Sequence, residues 1–152
     1  MRCILFGHKD APEAVCTPLA KMISYLAREY GVCDFLVGNN GNYDYFAQCA
    51  LRDVFQNGEK IRYSIVLSHL FERALSGEQK ATVFPEGLEC VPPKFAISKR
   101  NLWLVKNAEY AIVYVENKIS NCGKLLQKAL ARGIQIINIA DFDMKNEDWA
   151  IL

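Results

Sequence analysis

Three polar, glycine-containing loops carry most of the side chains in this chain that could handle a charged small molecule. Gly7-His8-Lys9-Asp10 follows the apolar run Arg2 to Phe6, Gly38 to Asp44 follows Asp34 to Val37, and Glu116 to Gly123 follows Tyr110 to Val115. Lys9 offers a phosphate a point charge, and His8 can hydrogen-bond a ligand or hand it a proton. In Gly38-Asn39-Asn40-Gly41-Asn42-Tyr43-Asp44 the two glycines clear room at a helix start, where main-chain N–H groups favour an anion. Asp44 would repel a phosphate, so its use in such a site is to accept a ribose or base hydrogen. The alternative is that Asn42 or Asp44 caps the helix and the glycines make a tight turn. The spacing is neither G-x-G-x-x-G nor a Walker loop, so both readings stand. Asn121, Cys122 and Gly123 in the third loop are candidates for the same site.

Two more segments carry suitable groups. In Ala96-Ile97-Ser98-Lys99-Arg100-Asn101, Arg100 provides a planar fork for a phosphate or carboxylate, and Asn101 offers both a donor and an acceptor. Lys99 fits an ordinary solvated helix face. Glu86 and Glu89, in Phe84-Pro85-Glu86-Gly87-Leu88-Glu89, could serve as general acid or base if their loop folds over the site. With Arg100 they are the catalytic candidates. Six cysteines show no C-x-x-C and no Cys/His spacing suited to a metal, so no metal is expected. They read as reduced, small buried hydrophobes, with Cys122 set apart by its loop.

The elements that must position these groups follow from the apolar pattern. Arg2 to Phe6, Asp34 to Val37, Arg62 to Ser68, Tyr110 to Val115 and Ile134 to Ile139 read as strands. Asp10-Ala-Pro-Glu13 supplies a cap acceptor, a first-turn proline and an acid for a helix reaching Tyr30, where Gly31 ends it. Helical spacing recurs over Tyr45 to Phe55, Phe95 to Asn107 and Lys124 to Arg132. Strands alternating with helices predict a parallel sheet, with ligands beyond the carboxyl ends of its strands. His8 and Lys9 would then stand at the switch point between the first strand and the Tyr110 strand. His69 to Pro93 lacks a period and reads as a long, partly ordered connection. Residues from Ala140 onward read as a peripheral tail with Trp149 as an anchor.

Composition narrows the function classes. The chain has 152 residues, 51% of them hydrophobic and 23% charged, which suits one globular domain, 1–152, with its own core. Eighteen Lys and Arg nearly balance 17 Asp and Glu, so nucleic acid is a disfavoured partner. No apolar run approaches the ~20 residues that cross a bilayer, and the start is too short for a signal peptide. A cytoplasmic protein with no membrane partner is the expectation, and a homodimer is compatible with such a sheet.

These segments, in this order, resemble the SLOG superfamily, the Rossmann-like group that includes the cytokinin-activating LOG phosphoribohydrolases, the DNA-processing protein DprA and small bacterial proteins of the YpsA type. The resemblance rests on Cys3-Ile-Leu-Phe-Gly-His-Lys9, the G-x-x-x-G-x-D pattern of Gly38 to Asp44, Phe84 to Glu89, Ile97-Ser-Lys-Arg-Asn101 with Trp103 and Val105, and Tyr114-Val115 to Gly123. It implies a three-layer Rossmann-like α/β fold, with a central parallel sheet of about five strands and helices on both faces. It also implies a nucleotide or nucleotide-derived ligand between the loops, with no further cofactor. LOG enzymes use P-G-G-x-G-T-x-x-E, where the glutamate works on the ribose. Here Ser120 to Gln127 keeps one glycine, and Gln127, which cannot exchange a proton at neutral pH, stands near the acid's place. Ligand binding in sensing or signalling is therefore the leading expectation, with LOG-type N-glycosidic cleavage second and DprA-like DNA handling third.

Overall fold

The computed structural model describes residues 1–68 and 82–142. Six strands form one all-parallel sheet: β1 Arg2–Gly7, β2 Asp34–Val37, β3 Arg62–Val66, β4 Thr82–Val83, β5 Tyr110–Tyr114 and β6 Gln135–Asn138, in the spatial order β4-β3-β2-β1-β5-β6. Four helices flank it among the described residues: α1 Cys16–Tyr30, α2 Asn42–Gln56, α3 Pro93–Lys106 and α4 Asn121–Ala131. The fold is a Rossmann-like three-layer α/β sandwich. No described helix is long and apolar enough to cross a membrane.

Alternation along the strands divides the core. Cys3, Leu5, Phe35, Val37 and Ile112 face α1 and α2, whose Leu19, Ile23, Leu26, Ala47 and Leu51 complete one cluster. Ile4, Phe6, Leu36, Ala111 and Val113 face the other way, onto Leu104 and Val105 of α3 and Leu125, Leu126 and Ala129 of α4. Strands covered on both faces must be apolar almost throughout, and β5 is buried at all five positions. β1 pairs with β2 in the register Ile4↔Leu36 and with β5 in the register Ile4↔Ala111. The expected switch point between β1 and the Tyr110 strand is therefore present.

Several local expectations are corrected. The sheet has six strands, because Thr82–Val83, inside the segment read as a long connection, pairs with Ile65 and Val66 of β3. The rest of that segment contains a 3-10 turn at Leu88–Cys90, while residues 69–81 lie outside the described residues. Asp10 does not cap α1. Main-chain bonds from Ala11 N–H to the His8 carbonyl and from Val15 N–H to the Pro12 carbonyl turn the chain, and a 3-10 turn, Glu13–Val15, precedes the helix. Burying Ala11 imposes that turn and leaves Asp10 in solvent. The tail begins later than read, since Ile139 is fully buried and Ala140 and Phe142 pack on the core; Trp149 lies outside the described residues. Among the cysteines only Cys3 is buried, Cys33 and Cys90 are exposed, and Cys16, Cys49 and Cys122 are half-buried.

One side chain ties the layers together at the sheet rim. Tyr43, in the first turn of α2, is fully buried and donates its hydroxyl to the Ile112 carbonyl of β5 at 2.6 Å. Its ring lies on Gly7, where an added Cβ would stand 2.6 Å from Tyr43 Cγ and 3.0 Å from the Tyr114 carbonyl oxygen. Tyr43→Phe is expected to lower stability by about 1–2 kcal/mol, one buried hydrogen bond. Gly7→Ala should cost more, about 2–3 kcal/mol, because strand backbone must move. Urea melts of the two variants would check both the size and the order.

Candidate functional site

Above the C-terminal ends of β1 and β2 lies a cleft of about 230 Å³. Leu5, Phe6, Gly7 and Lys9 reach it from β1, and Gly38, Asn40 and Asp44 from the turn into α2. Lys94, Ile97, Ser98, Arg100, Asn101 and Leu104 come from α3, and Asn121, Cys122 and Leu125 from α4. Other surface grooves are larger, up to 600 Å³ beside α4 and β6, but they lie away from this switch point. The cleft brings together Gly7, Lys9, Gly38, Asp44, Arg100, Asn101, Asn121 and Cys122 of the residues read as site candidates.

The remaining candidates serve elsewhere. His8 Nε2 accepts the main-chain N–H groups of Glu116 at 2.9 Å and Asn117 at 3.3 Å, so the imidazole fastens one loop to another. Gly41 (φ +94°) packs under Lys9, and Gly123 packs against the Lys118 carbonyl. Asn39 is half-buried and does not line the cleft. Glu86 and Glu89 are exposed and do not line the cleft, and Gln127 is exposed on α4. Asp44 is the one carboxylate among the described lining residues.

Several glycines and amides of these loops are engaged within the fold. The space freed at Gly38 is occupied: a Cβ there would stand 2.5 Å from Arg100 Nη1 and 2.6 Å from Asp44 Oδ2. Asn40 N–H donates to Asp44 Oδ2 at 2.9 Å and Asn42 N–H to the Lys9 carbonyl at 2.9 Å. In the third loop Gly123 N–H is taken by Ser120 Oγ at 3.1 Å, the cap of α4. Asn42 N–H fastens one loop to another, and Asn40 N–H and Gly123 N–H are taken within their own segments. Lys9, Lys94 and Arg100 are the cationic side chains among the described residues that line the cleft.

Arg100 is the least expected element, a guanidinium only 3% exposed. Ala96, Arg100 and Leu104 follow one another at i, i+4 and i+8 on the buried stripe of α3, a spacing present in the sequence. Its Nε and Nη2 donate to Asn101 Oδ1 at 3.2 and 2.9 Å, and Nη1 donates to the Val66 carbonyl at 3.3 Å. Asn40, Lys94 and Ser98 were missed by sequence reading, although Lys94 and Ser98 precede Asn101 by seven and three residues, on the same helical face.

Burial pushes the Asp44 carboxyl up to about 6, against the pull of Arg100 and of the Asn40 N–H. Burial, and then Asp44, push the Cys122 thiol up to about 11 while Lys9 pulls the other way. Cys122 is thus a protonated donor, bound to the Gly7 carbonyl at 3.0 Å, and not a nucleophile at neutral pH. No protein-family model and no curated protein sequence matches this chain.

The raised Asp44 carboxyl sets a pH dependence. Between the ordinary carboxylate value of 3.8 and about 6, the folded chain binds a proton that the unfolded chain has released, so this group's contribution to stability falls as pH rises through 6. Above that value the ionised carboxylate costs on the order of 2–3 kcal/mol. Asp44→Asn should therefore raise the melting temperature at pH 7.5 and weaken its dependence on pH between 7.5 and 5. A lower melting temperature at pH 7.5 would contradict this assignment.

Proposed function

We propose that this protein binds a nucleotide or nucleotide-derived small molecule in the cleft above β1, in a sensing or signalling role. The observation that carries the proposal is the position and make-up of the cleft. It opens where β2 and β5 flank β1, the place where open α/β sheets hold ligands. Among the described lining residues Lys9, Lys94 and Arg100 outnumber the one carboxylate, Asp44, so the lining favours an anion. Ile97, Leu104 and Leu125 form an apolar wall between α3 and α4 that suits a base. The resemblance to the SLOG superfamily supports the same reading.

Binding is preferred to catalysis because the expected acids are elsewhere. Glu86 and Glu89 are exposed outside the cleft, and Gln127 offers no proton. One observation favours the second reading, LOG-type N-glycosidic cleavage: Asp44 sits in the cleft with its carboxyl near 6, where it can hold or release a proton.

A panel of nucleoside mono-, di- and cyclic nucleotides tests the proposal by thermal shift. A ligand at 100 times its Kd adds about 2.7 kcal/mol, or roughly 5–10 °C for a chain of this size. Lys9→Ala should weaken binding about tenfold without lowering the ligand-free melting temperature. No shift across the panel would overturn the binding reading, and chromatographic release of free base, lost in Asp44→Asn, would move the assignment to the hydrolase.

A further inference from the structure

Asp44 has capacity that the fold itself does not use. The side chain is 5% exposed, and the Asn40 N–H is the one hydrogen bond it accepts from the described residues, at Oδ2. Oδ1 accepts none from them, yet the residue lines the cleft. A carboxylate withdrawn from water with acceptor capacity to spare is costly to keep, and its neighbours tell what would satisfy it. Arg100 Nη1 and Asp44 Oδ2 share the space over Gly38, so the guanidinium is close enough to favour the negative charge. A phosphate beside Asp44 would be repelled, so that end of a ligand belongs with Lys9 and Lys94.

The layer from which each group comes separates sugar from base. Asp44 enters at the start of α2, on the α1/α2 side of the sheet, whereas the apolar wall of Ile97, Leu104 and Leu125 belongs to α3 and α4 on the other side. A base held against that wall leaves Asp44 facing the sugar. We propose that Asp44 accepts hydrogen bonds from the vicinal ribose hydroxyls of the ligand, so that the cleft selects ribonucleotides over sugars lacking those hydroxyls. Asn40 and Arg100 then act as positioning residues. The Asn40 N–H occupies Oδ2 and turns Oδ1 toward the sugar, and Arg100 keeps the carboxylate charged.

This inference rests on the nucleotide reading, and one titration series separates the two. Isothermal titration of the full chain uses the four common ribonucleoside 5′-monophosphates and their 2′,3′-dideoxy counterparts, against wild type and Asp44→Asn. The expected result is a ribonucleotide bound at least tenfold more tightly than its dideoxy counterpart by wild type. Asp44→Asn should reduce that ratio to about one, with little change in dideoxy binding. Equal binding of the pair by wild type would overturn the sugar assignment and leave the nucleotide reading standing. A preference that survives in Asp44→Asn, or a change in base preference in its place, would remove Asp44 from the sugar. Binding of none of the eight would overturn both readings. The wild-type comparison needs no variant, so it stands even if Asp44→Asn fails to fold.

Discussion

With β2 on one side of β1 and β5 on the other, the chain must leave the sheet toward opposite faces after these neighbouring strands. The first crossover, from β1 to β2, carries α1; the helix after β2 joins it on the same face, and the helices around β5 cover the other. A crevice above β1 is the geometric consequence. Most groups lining that crevice come to it because their element begins or ends there. Phe6 and Gly7 end the central strand, Asp44 begins α2, Asn121 and Cys122 begin α4, and Arg100 faces inward from the middle of α3.

The crevice is held open by polar groups that the core would do better without. A buried arginine and a buried aspartate meet over Gly38, and burial outweighs their attraction at the carboxylate. Replacing such charges by apolar groups is commonly neutral or stabilising. The Arg100 hydrogen bonds to Asn101 and to the Val66 carbonyl fix one charge. The Asn40 N–H fixes the other from one side only.

The loops owe their shape to close approach. Tyr43 needs the missing side chain of Gly7, Lys9 needs that of Gly41, and the Arg100–Asp44 pair needs that of Gly38. His8 and Cys122 add cross-links, the imidazole accepting from the β5 loop and the thiol donating to the Gly7 carbonyl. These contacts interlock the described rim of the cleft.

The sequence by itself determined the layering. Apolar runs of strand length, alternating with amphipathic helices and closed by residues such as Gly31, allow little but a parallel sheet covered on both faces, and they place the polar loops at one rim. Lys9, Asp44, Arg100 and Asn101 were legible as site candidates because charged and amide side chains at strand ends and helix starts have few structural uses. β4 was not legible, since two residues carry no period and depend on β3 for pairing. Nor were the destinations of the loop donors. Whether an amide faces a ligand or a neighbouring loop is decided by contacts between residues as far apart as His8 and Glu116, and local pattern holds no record of them. Only the tertiary structure showed the close packing at Gly7, Gly38, Gly41 and Gly123, placed Glu86 and Glu89 in solvent, and left Asp44 as the carboxylate among the described lining residues, because burial and pairing are properties of the assembled fold.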